Sequence, residues 1–330
     1  MISVVIPLYN EESVIPKLEQ RLVDAAPLWG EEYEIILVDD GSSDNSLELL
    51  KVIANKYSFF KIIQLSRNFG HQAAISAGIK IAKGDAVVIM DGDLQDPPEE
   101  LPRFLAKWKE GYDVVYAIRT RRKEGLIKRV SYFLFYRILG WISEIAIPLD
   151  SGDFCVMDKK VVRALNYEFP ENIRFIRGLR AFAGFKQVGL TYERAERAAG
   201  DVKYTFPKLL QLALDGIFGF STFPLRLSTY LGIFISIPSF CIGIFFIIHR
   251  ILDFKIMGYS PSDTPGLATL GVGMFFLGGI MLIILGIIGE YLGRIYVEVK
   301  RRPFYIIDEI ITSKSDVDNN HLNTEDKKLF

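Results

Sequence analysis

The chain has 330 residues, of which 50% are hydrophobic and 24% charged, and its formal net charge is −1. This apolar content excludes a disordered chain, and the near-zero charge excludes a broadly basic nucleic-acid-binding protein. Cys155 and Cys241 lie far apart and the three histidines are scattered, which excludes a disulfide scaffold and a zinc site of usual ligand spacing. At roughly 100–200 residues per domain, the length suggests two structural units.

The N-terminal part of the chain, 1–205, has the pattern of an α/β domain. Short apolar runs predict strands at 2–8, 34–39, 61–66, 85–90 and 112–118. Helical periodicity predicts helices near 12–26, 44–57, 71–82 and 98–110. This alternation predicts a mostly parallel sheet covered by helices.

Polar residues follow three of these strands, and ligands of such sheets bind at the carboxyl ends of the strands. The three clusters are Tyr9-Asn10-Glu11, Asp39-Asp40-Gly41-Ser42 and Asp91-Gly92-Asp93. No G-x-G-x-x-G follows the first predicted strand, and no G-x-x-x-x-G-K-[ST] occurs in the chain. The sequence therefore lacks the motifs expected of a Rossmann dehydrogenase and of a P-loop protein.

Asp91 and Asp93 are separated by one residue at a strand end, where both carboxylates can point to the same side of a turn. Mg²⁺ binds one or two carboxylates together with substrate phosphates, and the metal then neutralises charge on a leaving diphosphate. A lone D-x-D also fits a solvated acidic turn. The two further polar clusters at the same predicted sheet edge favour a ligand site.

Two uncharged apolar runs, 227–248 and 264–289, are each long enough for a membrane-spanning helix, which needs about 20 residues. The alternative is a buried hairpin of a large soluble protein. Glycines in the second run permit close helix packing in lipid, including packing between copies of the chain as a homo-oligomer. We therefore predict two transmembrane helices joined by an extracytoplasmic loop, 249–263.

Basic residues predict the orientation of these helices. They flank both runs but are sparse in the connecting loop; the flanking residues include Lys203, Lys208, Arg226, Arg294, Lys300, Arg301 and Arg302. The positive-inside rule then places the N-terminal domain and the C-terminus in the cytoplasm, as in a bacterial inner or plasma membrane protein. The first ten residues lack the basic region of a signal peptide, so their apolar stretch is interpreted as a strand.

Further segments favour contact with a membrane surface. Residues 126–147 place apolar residues at helical spacing among basic residues and aromatic rings, as expected of an interfacial amphipathic helix, although a core helix fits the same pattern. A second amphipathic helix is predicted at 206–225, leading into the first span. Residues 290–312 form a predicted cytoplasmic juxtamembrane segment, and the polar tail 313–330 is predicted to be disordered.

The motifs VVIPLYNEE (4–12), ILVDDGSSDNS (36–46), SRNFGHQAAISAG (66–78) and VIMDGDLQDPPE (88–99) resemble the family 2 glycosyltransferases of GT-A fold. RGLRAFAGFKQ (177–187), the two spans and GEYLGRIYVEVKRRPFY (289–305) narrow the resemblance to the polyisoprenyl-phosphate glycosyltransferases, close to bacterial bactoprenol glucosyltransferases and related to dolichol-phosphate mannose synthase. The resemblance covers roughly residues 1–310. It implies a GT-A nucleotide-sugar-binding domain with amphipathic interfacial helices and two C-terminal transmembrane helices.

The resemblance also implies roles for individual residues. The residues that match those holding the nucleoside are Pro7, Tyr9, Glu11 and Asp39. The Asp-x-Asp-x-Gln motif matches Asp91, Asp93 and Gln95, with Asp93 and Gln95 nearest a Mg²⁺ or Mn²⁺ ion and Asp91 facing the nucleotide-sugar donor.

On the acceptor side, the resemblance implies that Arg119 reaches donor or acceptor phosphates and that Asp153, in an acceptor-side loop over 151–154, is a base or an orienting group. Arg129 and Ser131 match further phosphate-binding positions. The family's Gly-x-Ser-Lys-Tyr segment departs here, because Val202 replaces the Ser; Lys203 can still contact phosphate, and a solvated basic loop is the alternative.

The implied function is metal-assisted, inverting transfer of a sugar from a nucleotide-sugar donor to the phosphate of a polyisoprenyl phosphate. UDP-glucose is the first choice of donor, with a UDP-linked modified arabinose or GDP-mannose as alternatives. A processive polysaccharide synthase would need more spans and a Gln-x-x-Arg-Trp segment, which the chain lacks. A non-catalytic nucleotide-sugar-binding membrane protein would need a broken metal motif, and a channel would need charged residues inside its spans.

Overall fold

A computed structural model describes residues 1–119, 151–169, 171, 174–192, 223–252 and 267–313. The chain divides into two compact units, Ile217–Arg301 and the remainder on either side of it. The predictions for Arg129, Ser131, Val202, Lys203 and the amphipathic helix at 126–147 lie outside the described residues. So do residues 206–222 of the second predicted amphipathic helix, most of the loop at 249–263, and all but the first residue of the tail at 313–330.

A single mixed sheet forms the centre of the first unit. Its strands are β1 Ile2–Leu8, β2 Tyr33–Asp39, β3 Phe60–Leu65, β4 Ala86–Ile89, β5 Val114–Arg119, β6 Ser151–Asp158, β7 Gln187–Tyr192 and β8 Ile307–Ile311. The strand order is β7-β5-β6-β4-β1-β2-β3-β8, and the central strands β3-β2-β1-β4 are parallel. The prediction of an α/β fold with a mostly parallel sheet is confirmed, and β1 to β5 lie within two residues of their predicted bounds.

Helices flank the sheet in the alternation that the sequence predicts. In the first unit they are α1 Ile15–Ala25, α2 Ser46–Lys56, α3 His71–Ile81, α4 Leu101–Lys109, α5 Lys159–Tyr167 and α6 Ile176–Phe182. Short 3₁₀ helices occupy Ala26–Trp29 and Pro98–Glu100. The predicted helix near 98–110 is therefore divided, with a 3₁₀ turn preceding α4.

The core explains why β1 is almost entirely apolar, with Ser3 as its polar residue. All seven residues of β1 are buried, because helices cover both faces of the central strands. On one face Leu18 and Leu22 of α1 and Phe104 of α4 belong to the buried core. On the other face α3 lies so close to β1 that a Cβ on Gly78 would come within 2.2 Å of a Val5 methyl. This packing fixes the position of α3, whose first residue is His71.

Residues 151–154 belong to β6, so the prediction of an acceptor-side loop there is wrong in its secondary structure. β6 runs antiparallel between β4 and β5, and its register pairs Cys155 with Ile89. Its apolar residues Phe154 and Val156 enter the core, and the ladder to two neighbours satisfies its backbone groups. Because β6 begins where β4 ends, Asp153 lies at the sheet edge that carries Asp91.

The second unit contains two long helices, α7 Phe223–Leu252 and α8 Leu267–Val299. α7 includes the first predicted span, and α8 covers the second from residue 267 but continues past Gly289 to Val299. Among the described helices, the stretch Phe276–Val299, with a mean hydropathy of 2.0, is long and apolar enough to cross a membrane by length and composition alone.

The chain after α8 returns to the first unit and adds β8 to the edge of the sheet, antiparallel to β3. The ladder pairs Ile62 with Ile311 and Ile63 with Ile310, and Ile311 packs against the core. The segment 290–312, which the sequence predicts to be juxtamembrane, is therefore divided between the end of α8 and an edge strand of the first unit. The sequence signal for β8 is a single five-residue run in which two acidic residues interrupt the apolar pattern.

Candidate active site

Asp39 ends β2 and lies at the carboxyl edge of the parallel strands, beside the last residue of β1. Its side chain is buried, and its Oδ2 accepts a hydrogen bond from the Ser42 backbone N–H at 3.2 Å. Its Oδ1 is also buried and has no hydrogen-bond partner among the residues that the structure describes. Burial raises the pKa of the Asp39 carboxyl above its ordinary value, although hydrogen bonds from Ser42 partly offset this effect. A buried acceptor without a partner is suited to an N–H donor from a ligand.

The neighbouring carboxylate, Asp40, has a structural role. It accepts hydrogen bonds from the backbone N–H groups of Phe69 and Gly70 at 2.7 and 2.9 Å, and so connects the end of β2 to the loop before α3. Burial raises the pKa of Asp40, and these two amide donors oppose the rise. Gly41 follows with φ +65°, and a Cβ on it would come within 2.4 Å of the Arg67 carbonyl carbon. The loop 67–70 is therefore held directly against the strand end.

The three remaining residues predicted to bind the nucleoside follow or end β1. Pro7 is buried within the strand, Tyr9 is exposed at the edge, and Glu11 is half-buried. Between them Asn10 adopts a left-handed backbone, φ 52°, and its Oδ1 accepts a hydrogen bond from the Ser43 N–H at 2.8 Å. Asn tolerates this conformation better than most residues. The structure thus brings the ends of β1 and β2 together, with the Tyr9 side chain 40% exposed beside them.

The predicted metal-binding residues form a tight turn after β4. Asp91 is partly exposed, and the Gln95 backbone N–H donates to Asp93 Oδ1 at 3.0 Å. Leu94 adopts φ +60° and is only 1% exposed, so its side chain anchors the turn in the core. A Cβ on Gly92 would come within 2.3 Å of a methyl group of Leu8, which brings this turn against the end of β1.

The donor set of this turn fits a hard divalent cation. Asp91, Asp93 and Gln95 offer oxygen ligands, which Mg²⁺ and Mn²⁺ prefer over nitrogen or sulfur. Over the ranges that the structure describes, no group of three or more His, Cys, Asp or Glu side chains converges as a ready-made metal cage. Mg²⁺ sites that use substrate phosphates need only one or two carboxylates from the protein, so the turn remains compatible with such an ion.

Asp153 faces Asp91 across the sheet edge within a second polar cluster. The Arg177 guanidinium binds it in a bidentate manner, with Nε 2.8 Å from Oδ1 and Nη2 3.2 Å from Oδ2. His71 Nε2 lies 3.4 Å from Asp153 Oδ2 and 3.6 Å from Asp91 Oδ1. The cluster Arg177–Asp153–His71–Asp91 is thus a continuous chain of alternating basic and acidic groups.

The pKa values in this cluster follow from its charges. Burial alone would raise the pKa of Asp153, but the charge of Arg177 and the hydrogen bonds from His71 and Arg177 hold it well below its usual range. Burial alone would lower the pKa of His71, whereas its hydrogen bond with Asp153 and the charges of Asp91 and Asp153 raise it to about 9. The contacts of this cluster therefore favour the ionised form of Asp153 and the protonated form of His71.

Two helix starts hold this cluster in place. His71 is the first residue of α3, and the next residue, Gln72, accepts a hydrogen bond from the Ile176 N–H at 2.9 Å. Ile176 begins α6, so this bond fastens the start of α6 to the start of α3, directly before Arg177. The two basic side chains and the β6 carboxylate therefore belong to three packed elements.

The family resemblance implied a role for Asp153 but named neither of its partners. His71 lies in the segment 66–78 and Arg177 opens the segment 177–187, and both segments carry the family resemblance. The available signal was a titratable residue at the start of the helix that follows a parallel strand: His71 begins α3, after the loop that follows β3. Arg119 ends β5, as the strand pattern predicts.

Comparisons with known proteins agree with this architecture. The model of glycosyl transferase family 2 matches residues 3–165. An uncharacterized glycosyltransferase of Synechocystis is 45% identical over 310 residues, covering 94% of this chain and 95% of that protein. The bactoprenol glucosyl transferase of Shigella phage SfII is 40% identical, covering 93% and 97% of the two chains.

Among solved structures, glucosyl-3-phosphoglycerate synthase of Mycobacterium tuberculosis, in complex with Mn²⁺, UDP-glucose and phosphoglyceric acid, resembles the chain with a TM-score of 0.41. Its sequence is 19% identical, over 64% of this chain and 76% of that one. The sequence relatives, which match nearly end to end, decide the assignment. The chain belongs to glycosyl transferase family 2.

Proposed function

We propose that the protein transfers a sugar, glucose from UDP-glucose in the first instance, to the phosphate of a polyisoprenyl phosphate in a membrane. The observation that carries the proposal is the convergence of three acidic sites at one sheet edge: Asp39, the Asp91–Asp93 turn and Asp153. The names of relatives such as the Shigella phage protein support bactoprenol as the lipid and glucose as the sugar.

The Asp39 corner is proposed to hold the donor's base. Its buried Oδ1 without a partner accepts a ring N–H, which both uracil and guanine provide, while the exposed ring of Tyr9 offers a stacking surface. The geometry alone is thus compatible with UDP-linked and GDP-linked sugars. The glucosyl transferase relatives favour UDP-glucose over a modified arabinose or mannose donor.

The turn after β4 is proposed to hold the donor diphosphate. Asp93 and Gln95 would bind Mg²⁺ or Mn²⁺, with Asp91 facing the sugar-nucleotide. When bound, the metal supplies positive charge that neutralises the leaving diphosphate. Leu94, anchored in the core, fixes the direction of the two flanking ligands.

The acceptor is proposed to attack the anomeric carbon in a single displacement that inverts its configuration. A phosphate monoester has a second pKa of about 6 and is mostly ionised at neutral pH, so its oxygen is already a nucleophile. A strong general base is therefore less necessary than for a hydroxyl acceptor, and Asp153 is proposed as either a base or an orienting group. Arg119, Arg129, Ser131 and Lys203 remain the proposed contacts of the acceptor phosphate.

The membrane supplies the acceptor, because a long isoprenoid chain cannot leave the bilayer. We propose that α7 and α8 contain the two spans predicted at 227–248 and 264–289, with the catalytic domain and C-terminus in the cytoplasm. The apolar stretch Phe276–Val299 and the bactoprenol-related relatives support this assignment. Its length exceeds the roughly 20 residues that a spanning helix needs.

The test is an incubation of purified protein with radiolabelled UDP-glucose, polyprenyl phosphate and Mg²⁺ or Mn²⁺, followed by organic extraction. We expect label in an acid-labile lipid, lost on addition of EDTA and in Asp93→Ala. Asp24→Ala, which removes an exposed carboxylate from α1, is the matched control and should retain activity. Full activity of Asp93→Ala would refute the site assignment. If wild type transfers no glucose, the incubation is repeated with GDP-mannose and with a UDP-linked modified arabinose. Failure with all three donors would support a non-catalytic binder.

A further inference from the structure

We propose that Arg177 and His71 are positioning residues for sugar transfer, which hold the Asp153 side chain in place so that it orients His71 beside Asp91. The inference rests on the proposed function and adds to it two residues that the resemblance did not supply. It also chooses between the two roles left open for Asp153, a base or an orienting group.

The first step is the occupancy of the Asp153 oxygens. Oδ1 accepts from Arg177 Nε, and Oδ2 is shared by Arg177 Nη2 and His71 Nε2. The side chain is only 6% exposed. A general base must reach the proton of its substrate through a free lone pair, directly or through one water molecule. Asp153 would have to break its bidentate ion pair to serve as one.

The second step is the direction of the chain of contacts. His71 Nε2 lies between Asp153 and Asp91, at 3.4 and 3.6 Å from the nearest oxygen of each. Asp91 is the carboxylate that the proposed function assigns to the donor. A change at Arg177 can therefore reach the donor site through two intervening side chains, without Arg177 touching the donor itself.

The third step is the rigidity of the supports. Asp153 lies on a strand paired on both sides, His71 begins α3, and Arg177 lies in the first turn of α6. The bond from the Ile176 N–H to Gln72 ties the two helix starts together. Positions held by three packed elements maintain the sub-ångström geometry that transfer reactions require.

The two roles of Asp153 make opposite predictions for Arg177→Gln. If Asp153 is a base, the loss of Arg177 frees its oxygens to take a proton, and kcat stays constant or rises. If Arg177 positions Asp153, the same change lets the carboxylate and His71 move, and kcat falls. A misplacement of about 1 Å commonly reduces turnover about 100-fold, which is the loss we expect.

The experiment compares steady-state kinetics of the full-length protein, with UDP-glucose and polyprenyl phosphate, for Arg177→Gln, Arg177→Lys, Asp153→Asn and the double variant Arg177→Gln/Asp153→Asn. We expect an unchanged KM for UDP-glucose, a kcat lowered about 100-fold in each Gln or Asn variant, and partial rescue in Arg177→Lys. Because groups that act as a unit are not additive, the double variant should be no slower than the worse single variant.

His71→Gln should show the same split between kcat and KM. Arg103→Gln, which removes an ion pair between Arg103 of α4 and Glu100 of the preceding 3₁₀ helix, is the matched control and should behave as wild type. Thermal unfolding of each variant, recorded in the same detergent, shows whether the fold is retained.

Three outcomes would overturn the inference. A kcat of Arg177→Gln equal to or above that of wild type would establish the base role instead. A parallel loss of kcat, donor binding and thermal stability, without rescue by Lys, would show that Arg177 only supports the fold. Additive losses in the double variant would show that the two groups act separately. These three outcomes leave the proposed function intact, because the wild-type protein still transfers sugar in each of them. A wild-type protein that transfers no sugar would instead refute the proposed function, and this inference with it.

Discussion

Gly41 provides a sharp test of how the Asp39 corner, which we propose holds the donor's base, is built. Its φ of +65° lies in the left-handed region, and a Cβ there would come within 2.4 Å of Arg67 C and 2.6 Å of Asn68 N. Both atoms belong to the backbone, so no flexible side chain can move aside to relieve the contact. Gly41→Ala therefore displaces the loop 67–70, which Asp40 holds through Phe69 and Gly70.

The expected loss of unfolding free energy in Gly41→Ala has two contributions. A left-handed backbone costs an Ala residue about 1–2 kcal/mol, and overpacking at a tight contact adds about 1–3 kcal/mol. Gly30 isolates the first contribution, because its φ is +70° and a Cβ there meets no atom within 4 Å. Gly41→Ala should thus lose about 2 kcal/mol more unfolding free energy than Gly30→Ala, the middle of the overpacking range.

The assay is thermal unfolding of both variants and of wild type in one detergent. About 2 kcal/mol corresponds to about 4–8 °C in Tm for a domain of this size, so the two variants should be clearly separated. Gly41→Ala should also transfer sugar more slowly, since the displaced loop leads directly into His71, whereas Gly30→Ala should not. Equal Tm values for the two variants, or an unaffected kcat in Gly41→Ala, would refute this account of the corner.

Two further predictions concern stability. Asp39→Asn should weaken UDP binding, and it should raise Tm over wild type more at about pH 7 than at about pH 4. The reason is that burial raises the folded-state pKa of Asp39. The stability contributed by the protonated form of Asp39 is therefore lost as the pH rises through that pKa. Equal Tm differences at both pH values would contradict it. Ile311→Ala should lower the unfolding free energy by about 2 kcal/mol, because this side chain packs against the core. The neighbouring Ile310 is 39% exposed, and Ile310→Ala should change stability by only about 0.5 kcal/mol; similar losses at both positions would indicate that β8 is not docked as described.

The parallel half of the sheet was predictable because its signals are local. Strands such as β1 and β2 are mostly apolar runs, and a polar cluster at the end of each indicates the edge of the sheet where ligands bind. The alternation with helices then requires the ends of β1, β2 and β4 to meet. Asp39, Asp91 and Asp93 could therefore be placed at one edge without any coordinates.

The antiparallel additions were not predictable in this way. β6 and β8 pair with strands far from them in sequence, and no hairpin turn signals either pairing. Pairing of this kind depends on which sheet edge remains available after the parallel core has formed, which composition and periodicity do not encode. The same limitation hid Arg177, because its partner Asp153 lies 24 residues away and on a different element.

Several carboxylates lie at the acidic edge of the sheet, and three of them differ in how their charge is balanced. Backbone amides bind Asp40 and the Arg177 guanidinium binds Asp153, so replacing either removes a contact within the protein. Asp39 instead keeps a buried oxygen for which the described residues offer no hydrogen-bond donor. Carboxylates of the first kind should influence geometry and stability, whereas a buried acceptor of the second kind lowers stability until a ligand supplies its hydrogen bond. A substitution that stabilises the free protein while weakening nucleotide binding, as expected of Asp39→Asn, is therefore the mark of a group retained for its ligand.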